Sequence, residues 1–172
     1  MRNLLKITIV VTLVFSVCNV FSQGKMKFGH INSSELVKMM PERDSAQKTL
    51  QTFGKELEEQ LSTMQAELES KYSDFQKQEP TLNDVVKAAR QKDLQDLNTR
   101  IEEFKSSAQD NYQKKQNELL QPIIDRANKA IQEIGKEKGF FYIFDVSAGA
   151  VVYFSTESED VMPLAKTKLG IK

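Results

Sequence analysis

The segment GFFYIFDVSAGAVVYFS, residues 139–155, is unusually aromatic for this chain. It carries six aromatic residues and follows a long stretch rich in Glu, Lys, Gln and Asp. It predicts two strands, residues 141–146 and 151–154, joined through the small residues 147–150. Neither strand alternates cleanly between apolar and polar positions, so we expect both faces of the sheet to be covered. Left exposed, such a segment would promote aggregation.

Outward from this segment, toward the N-terminus, apolar residues recur at heptad spacing and predict two long helices. The first helix carries two series four residues apart, Leu50, Leu57 and Met64, and Leu61, Leu68 and Phe75. The second carries Leu94, Leu97, Ile101, Phe104 and Ala108, and then slips by four to Tyr112, Leu119 and Ile123. Such a slip is a stutter, which locally unwinds a coiled coil.

Between the two helices, the sequence QKQEPTLND predicts a turn with its tip near residues 78–84. Pro80 disfavours helix at the residue before it, and Thr81 is predicted to cap the next helix. The helices are therefore expected to form an antiparallel hairpin, residues 41–122. Each arm has about 40 residues and would reach roughly 60 Å at a rise of 1.5 Å per residue.

The two ends of the chain are predicted to form a small α+β body, residues 25–40 and 123–172. Residues 26–31 read as a strand, Ser33 or Ser34 as the cap of a short helix, and Met40–Pro41 as the start of the long one. Pro122 is expected to kink the returning helix. Beyond it the apolar face widens up to residues 135–139, and residues 161–169 form a short terminal helix. Residues 23–172 are thus one domain.

The first 22 residues predict a cleavable signal peptide. Arg2 and Lys6 precede an apolar stretch, residues 7–17, and cleavage is expected after Ser22. Two alternatives stay open: a lipoprotein acylated at Cys18, and an uncleaved membrane anchor. Cleavage would remove the only cysteine, so the exported chain would be held together by packing alone.

The composition argues against nucleic-acid binding and against catalysis. Loss of residues 1–22 lowers the number of Lys and Arg from 24 to 22, while the 24 Asp and Glu remain, so the net charge becomes about −2. Nucleic-acid binders are normally basic. The sequence has no HExxH, CxxC, GxSxG or phosphate-binding loop. The only histidine, His30, is interpreted as a packed residue. We therefore expect neither an enzyme nor a bound metal or cofactor.

Three short strands and one small helix bury too little surface to cover so many aromatic residues alone. Self-association through the sheet would cover them and close its edges. The predicted oligomerisation core consists of Phe28, Ile31, Phe141, Ile143, Phe144, Val151 and Tyr153.

The apolar residues of the arms have two interpretations, a seam that joins the helices and a surface that contacts client protein. The candidates for client contact are Leu61, Met64, Leu68, Phe75, Leu97 and Phe104. Around the tip, residues 71–92 hold five Lys and Arg against three Asp and Glu. Such a tip could attract anionic lipid or acidic client segments, or it could be an ordinary solvated turn.

The order of elements resembles the Skp/OmpH family of periplasmic chaperones. The resemblance rests on KFGHINSSELV, the charged hairpin, LLQPIIDRANKAIQEIGKEKGFFYIFD, AVVYFS and EDVMPLAKTKLGIK, and covers residues 25–172. It implies a homotrimer with a small β-barrel-like body and helical arms around a cavity. In the periplasm of a Gram-negative bacterium, that cavity would hold unfolded outer-membrane proteins and prevent their aggregation, without ATP or another cofactor.

The chain departs from the family in its charge, because the best-known members are strongly basic whereas the arms here are net acidic. Client capture is therefore expected to depend more on apolar contact and confinement, and only weakly on salt. The resemblance transfers no lipopolysaccharide-binding residue. The rival hypothesis is a structural or adaptor coiled coil of the cell envelope, whose seam should run unbroken.

Overall fold

The structure, a computed structural model, describes residues 26–171. The predicted signal peptide, its cleavage after Ser22 and the alternative acylation at Cys18 all lie outside these residues. In chain order the elements are β1 (Lys27–Ile31), α1 (Ser33–Met39), α2 (Pro41–Gln78), a 3-10 turn (Glu79–Thr81), α3 (Asp84–Lys138), β2 (Phe140–Asp145), β3 (Glu159–Asp160) and α4 (Met162–Leu169).

The strands form one open sheet of order β2-β1-β3, in which β1 pairs in parallel with both neighbours. The whole arm is thus the connection between two adjacent parallel strands. The register shifts between Lys27, which pairs with Phe140, and Phe28, which pairs with Tyr142. The extra residue, Phe141, forms a bulge, so two aromatic residues follow each other on the exposed side of the strand.

The first predicted strand of the aromatic segment is confirmed as β2, but the predicted strand at residues 151–154 is wrong. Residues 150–155 have no regular secondary structure, and the third strand is β3. After β2 the chain stays beside β1, since Val146 N donates to Ile31 O at 2.9 Å, and it then crosses the sheet. A parallel strand on the far edge of β1 requires such a crossing connection. The expected barrel-like closure is likewise absent from residues 26–171.

Two helix caps lie one or two residues away from the predicted positions. Asn32, rather than Ser33 or Ser34, caps α1, because its Oδ1 accepts from Glu35 N at 3.0 Å. Asn83, rather than Thr81, caps α3, and its Oδ1 accepts from Val86 N at 3.0 Å. The Thr81 hydroxyl instead donates to the carbonyl of Gln78 at 2.8 Å and closes the 3-10 turn.

The arm is the antiparallel pair of α2, 38 residues, with the outer part of α3, 55 residues in all. The start of α2 at Pro41 is confirmed, and Pro is tolerated there because the first helical N–H needs no partner. The proline at 122 does not divide α3, which runs without interruption to Lys138. Gly139 then ends it in the left-handed conformation, with φ of 69°, which glycine adopts without steric cost.

The core of the body lies between the inner face of the sheet, α1, α4 and the inner end of α3. Its buried side chains are Ile31, Leu36, Met40, Ala46, Ile123, Ala127, Ile134, Val161 and Ala165. The widened apolar face predicted for α3 is therefore confirmed as a core-facing surface. The predicted terminal helix is confirmed as α4, with Pro163 in its first turn.

Candidate functional site: the outer face of the sheet and the helical arm

The outer face of the sheet carries a cluster of exposed aromatic rings, which we call the aromatic face: Phe28, Phe141, Tyr142 and Phe144. The Phe28 ring stacks on Tyr142 at 6.4 Å and on Phe144 at 6.5 Å, measured between centroids, and meets Phe141 edge-on at 6.3 Å. These geometries are the favourable ones for aromatic pairs. Phe141 is 60% exposed and Tyr142 56%, so the rings contact one another within the subunit and stay open to a partner.

The structure divides the predicted oligomerisation core into two sets. Ile31, 2% exposed, belongs to the subunit's own core, and the half-buried Ile143 packs against that core. Phe28, Phe141 and Phe144 lie on the opposite side of the sheet. Successive side chains of a strand point to opposite faces, which separates Ile143 from Phe144 and Ile31 from Phe28. Phe141 breaks this alternation, because the bulge turns it to the same face as Tyr142.

The remaining two predicted residues, Val151 and Tyr153, belong to the segment that crosses the outer face. Val151 is half-buried and Tyr153 is 81% exposed. Between this segment and the aromatic face lies an open groove of about 800 Å³, lined by Phe28 and Phe144 on the strand side. The segment therefore covers the aromatic face only in part.

His30 holds the crossing segment against the sheet. Its ring stacks on Phe154 with centroids 3.9 Å apart, and its Nδ1 lies 3.0 Å from Ser158 Oγ. The interpretation of His30 as a packed residue is thereby confirmed. Within residues 26–171, no group of three or more His, Cys, Asp or Glu could hold a metal ion.

Asp145, at the end of β2, ties the sheet to the start of α1. Its carboxylate accepts from the Ser33 hydroxyl, from Ser147 N at 2.9 Å and from Ser33 N at 3.2 Å. Burial raises the pKa of Asp145, but these hydrogen bonds favour the charged form and together outweigh burial. The pKa of Asp145 therefore lies below its ordinary value.

Lys168 ties α4 to the inner end of α3. Its Nζ lies 2.6 Å from Glu137 Oε1 and 3.1 Å from Glu133 Oε2. The hydrogen bond that Lys168 donates to Glu137, and to a smaller extent the one it donates to Glu133, raises the pKa of Lys168. A third ion pair, between Arg126 and Glu42, joins α3 to the first turn of α2. These pairs are exposed to solvent, so each adds only modestly to the packing of α4 and α2 against the inner end of α3.

The six predicted client-contact residues differ in how accessible they are. Phe75 is 7% exposed and Leu97 2%, so both lie in the seam between α2 and α3. The other four, Leu61, Met64, Leu68 and Phe104, are half-buried. In a pair of packed helices, each helix covers only one side of the apolar series on its partner. The side chains of these four residues therefore remain partly exposed to solvent.

An apolar groove along the arm contains residues that the heptad pattern did not single out together. Leu68, Tyr72 and Leu94 supply its apolar surface, and the groove has a volume of about 460 Å³. The side-chain amides of Gln65, Gln95 and Asn98 also line it. We call this surface the arm groove. Tyr72 lies four residues after Leu68, a spacing that places both on one side of α2.

The tip of the arm exposes apolar side chains at the start of α3. Val85 is 80% exposed, and Val86 is also exposed. The Lys87 ammonium is bound to Glu79 Oε1 at 2.6 Å, across the turn. No helix among residues 26–171 is long and apolar enough to span a membrane.

Comparison with known proteins identifies the family of this chain. The family model described as "Outer membrane protein (OmpH-like)" matches residues 27–169. The chain belongs to the OmpH-like family. That match includes the sheet, the whole arm and α4, and so covers both surfaces described above.

Two curated relatives of this OmpH-like chain carry the name "Chaperone protein Skp". The protein from Pectobacterium atrosepticum is 25% identical over 134 residues, 76% of this chain and 79% of the relative. The protein from Photorhabdus laumondii is 24% identical over 143 residues, 81% of this chain and 83% of the relative.

A solved structure supports the fold of this OmpH-like chain. The crystal structure of a putative outer membrane chaperone (OmpH-like) from Caulobacter crescentus superimposes with a TM-score of 0.71 at 13% identity. The alignment covers 87% of this chain and 90% of the other. At this identity the likeness concerns the fold alone.

Proposed function

We propose that this OmpH-like chain is a periplasmic holdase, a chaperone that binds unfolded outer-membrane proteins without ATP and keeps them from aggregating. Membership of the OmpH-like family and the relatives named Chaperone protein Skp support the proposal. The segment read as a signal peptide, residues 1–22, supports export. A holdase needs no reacting group, in keeping with a surface built from apolar and charged side chains.

The observation that carries the proposal is the exposed aromatic face. Its rings present large apolar area beside the free edge of β2, and contiguous exposed apolar surface of this kind marks an interaction site. We propose that it joins three copies of the chain through Phe28, Phe141 and Phe144, with Val151 and Tyr153 from the crossing segment. Ile31 and Ile143 would support that interface from within each subunit.

Three copies joined in this way would project three arms from one body and enclose a space between them. An arm about 57 Å long, from 38 residues at 1.5 Å each, is long enough to surround a collapsed unfolded chain. The proposed client contacts on the closed arm are Leu61, Met64, Leu68 and Phe104. Phe75 and Leu97 would reach a client only if α2 and α3 separated.

We also propose that the arm tip can rest on a lipid surface. Val85 and Val86 are exposed there, and among the described residues Lys77, Arg90 and Lys92 form no ion pair that would occupy their charge. Apolar side chains beside cations are what an interfacial contact with anionic lipid uses.

The deciding experiment measures native mass and then aggregation of a urea-unfolded outer-membrane protein after dilution, with and without the chain. A trimer that suppresses aggregation supports the proposal. A monomer would overturn the assembled architecture. A trimer without any effect on aggregation would favour the structural adaptor of the cell envelope instead.

A further inference from the structure

We propose that the arm groove binds extended client segments that are both apolar and basic, so that the chain selects clients by positive charge. This inference rests on the proposed holdase function and deepens it. It concerns one cross-section of the arm, residues 55–72 of α2 and residues 93–110 of α3, which we call the acidic section.

These two ranges lie beside each other in the antiparallel pair. At one end, a Cβ on Gly54 would lie 3.2 Å from the Tyr112 ring of the facing helix. Toward the other end, Leu68 and Tyr72 share the arm groove with Leu94 and Asn98. The acidic section therefore spans about 27 Å of the arm, from 18 residues at 1.5 Å each.

The section carries ten carboxylates against four cations, a net charge of −6. All ten carboxylate side chains are exposed to solvent. Two of them are neutralised locally, Glu67 by Lys71 and Glu102 by Lys105. Within residues 26–171 the other eight form no ion pair or hydrogen bond: Glu56, Glu58, Glu59, Glu69, Asp93, Asp96, Glu103 and Asp110.

The arm groove lies inside this acidic section. Leu68, Tyr72 and Leu94 offer apolar contact, and Glu69 lines the same groove. The groove amides of Gln65, Gln95 and Asn98 are free to bond a backbone, because no hydrogen bond engages them in the described part of the chain. An extended peptide brings unpaired backbone groups and alternating side chains, and so matches apolar pockets flanked by amides.

Charge decides which extended segments bind. A field of net −6 attracts a basic segment and repels an acidic one, and ionic strength screens both effects. Salt should therefore weaken the capture of basic clients and strengthen the capture of acidic ones. For clients near zero net charge the two effects cancel, and salt dependence is weak. For charged clients we expect a stronger salt dependence than the weak one expected from the near-neutral charge of the whole chain.

The test uses the full-length assembled protein and two disordered fluorescent peptides of about 30 residues. Both carry the same aromatic and aliphatic residues, and six Lys in one peptide replace six Glu in the other. Binding is measured by anisotropy at low and at high salt. We expect the basic peptide to bind at least about fivefold more tightly at 20 mM salt, with the ratio approaching one near 500 mM.

Variants separate charge from shape. Neutralising four carboxylates of the acidic section, of which Glu69 lines the arm groove, should remove most of the preference and leave the native mass unchanged: Glu56→Gln, Glu58→Gln, Glu59→Gln and Glu69→Gln. A control with the same total charge, changed outside the section, should keep the preference: Glu35→Gln, Asp44→Asn, Glu118→Gln and Asp125→Asn. Leu68→Ser with Tyr72→Ser should weaken binding of both peptides.

The outcomes distinguish a failure of charge selection from a failure of the proposed holdase function. Equal binding of both peptides, tighter binding of the acidic one, or no binding of either overturns the inference if an unfolded outer-membrane protein is still kept soluble. If that protein aggregates regardless of the chain, the holdase function itself fails.

Discussion

Gly29 on β1 lies directly against Val161, and a Cβ at Gly29 would come within 2.7 Å of Val161 Cγ2 and 2.9 Å of Phe140 Cε1. Val161 is fully buried, and its N–H donates to His30 O at 2.9 Å, which holds it at that distance. The close approach lets the start of α4 pack onto the middle of the sheet. Only glycine fits there without displacement of buried side chains.

We therefore expect Gly29→Ala to destabilise the body by about 1–3 kcal/mol, as overpacking of a well-filled core does. Urea unfolding followed by circular dichroism measures the change. Gly135→Ala is the matched control, since a Cβ there meets only Ile143 Cδ1 at an ordinary 3.5 Å. In a helix that substitution should stabilise by up to about 1 kcal/mol. Equal effects of the two substitutions would contradict the packing argument.

The division of the aromatic segment between two faces predicts different results for two charged substitutions. Phe141→Asp places a carboxylate on the exposed aromatic face and should reduce the proposed trimer to monomers while far-UV circular dichroism stays helical. Ile143→Asp places one against the subunit's own core and should destabilise the body, because Ile143 packs against that core and an unpaired charge in a partly buried position is costly.

Sedimentation velocity and circular dichroism of both variants check this expectation. Val152→Asp is the control, because Val152 is 96% exposed and outside the aromatic face. It should alter assembly less than Phe141→Asp does. Survival of the oligomer in Phe141→Asp would show that another surface joins the subunits.

The arm was predictable from sequence because its determinants are local and repeated. Heptad spacing put Phe75, Leu97 and Ile101 in the apolar series, and the structure buries all three in the seam of the outer arm. The spacing alone left open whether Phe75 and Leu97 contact clients instead. The position of the tip was predicted from Pro80, but the residue that caps α3 is Asn83 rather than Thr81. Asn and Thr can both cap a helix, and the choice depends on which side chain the turn leaves free.

The body was predictable only in part, because its sheet depends on long-range pairing. Residues 151–154 have high β-propensity. Propensity shows only that a segment suits a pleated sheet, and it does not specify which strand the segment pairs with. Glu159 and Asp160, with low propensity, form β3 because the backbone after the crossing segment reaches the free edge of β1. The bulge at Phe141, which sets the aromatic face, likewise has no mark in the sequence.

Asp145 predicts how stability depends on pH. Because its pKa is lowered in the folded state, its contribution is present above the pKa of the unfolded chain and is lost as pH falls through the folded value. The urea concentration at the unfolding midpoint should thus decrease as the pH is lowered below about 4, the ordinary pKa of Asp. Asp145→Asn should cost about 0.5–1.5 kcal/mol at pH 7, since an amide oxygen cannot replace both carboxylate oxygens.

The difference between the natural chain and Asp145→Asn should shrink as the solution is acidified toward pH 2, where the carboxyl is protonated in both states. Asp125→Asn is the control, because within residues 26–171 the Asp125 carboxylate accepts only from the exposed Gln121 side chain. An Asp145→Asn effect that stays constant with pH would mean that the hydrogen bonds from Ser33 and Ser147 do not depend on charge.

The arm predicts that stability and client capture depend on different residues. Leu97→Ser removes a side chain that is 2% exposed, so we expect a loss of about 2–4 kcal/mol in arm stability. Met64→Ser alters a half-buried residue on the open side of the same pair of helices, and should cost less stability. Its main effect should be weaker protection of an unfolded outer-membrane protein against aggregation.

Thermal unfolding and light scattering, measured on both variants at a temperature where both are folded, distinguish the two roles. If Leu97→Ser lowers the unfolding temperature but protects the client normally, Leu97 is a seam residue, as its burial indicates. If it abolishes protection while the arm stays folded, clients reach the seam and α2 must separate from α3 during capture. Normal protection by Met64→Ser would remove Met64 from the client-binding surface and leave capture to the arm groove.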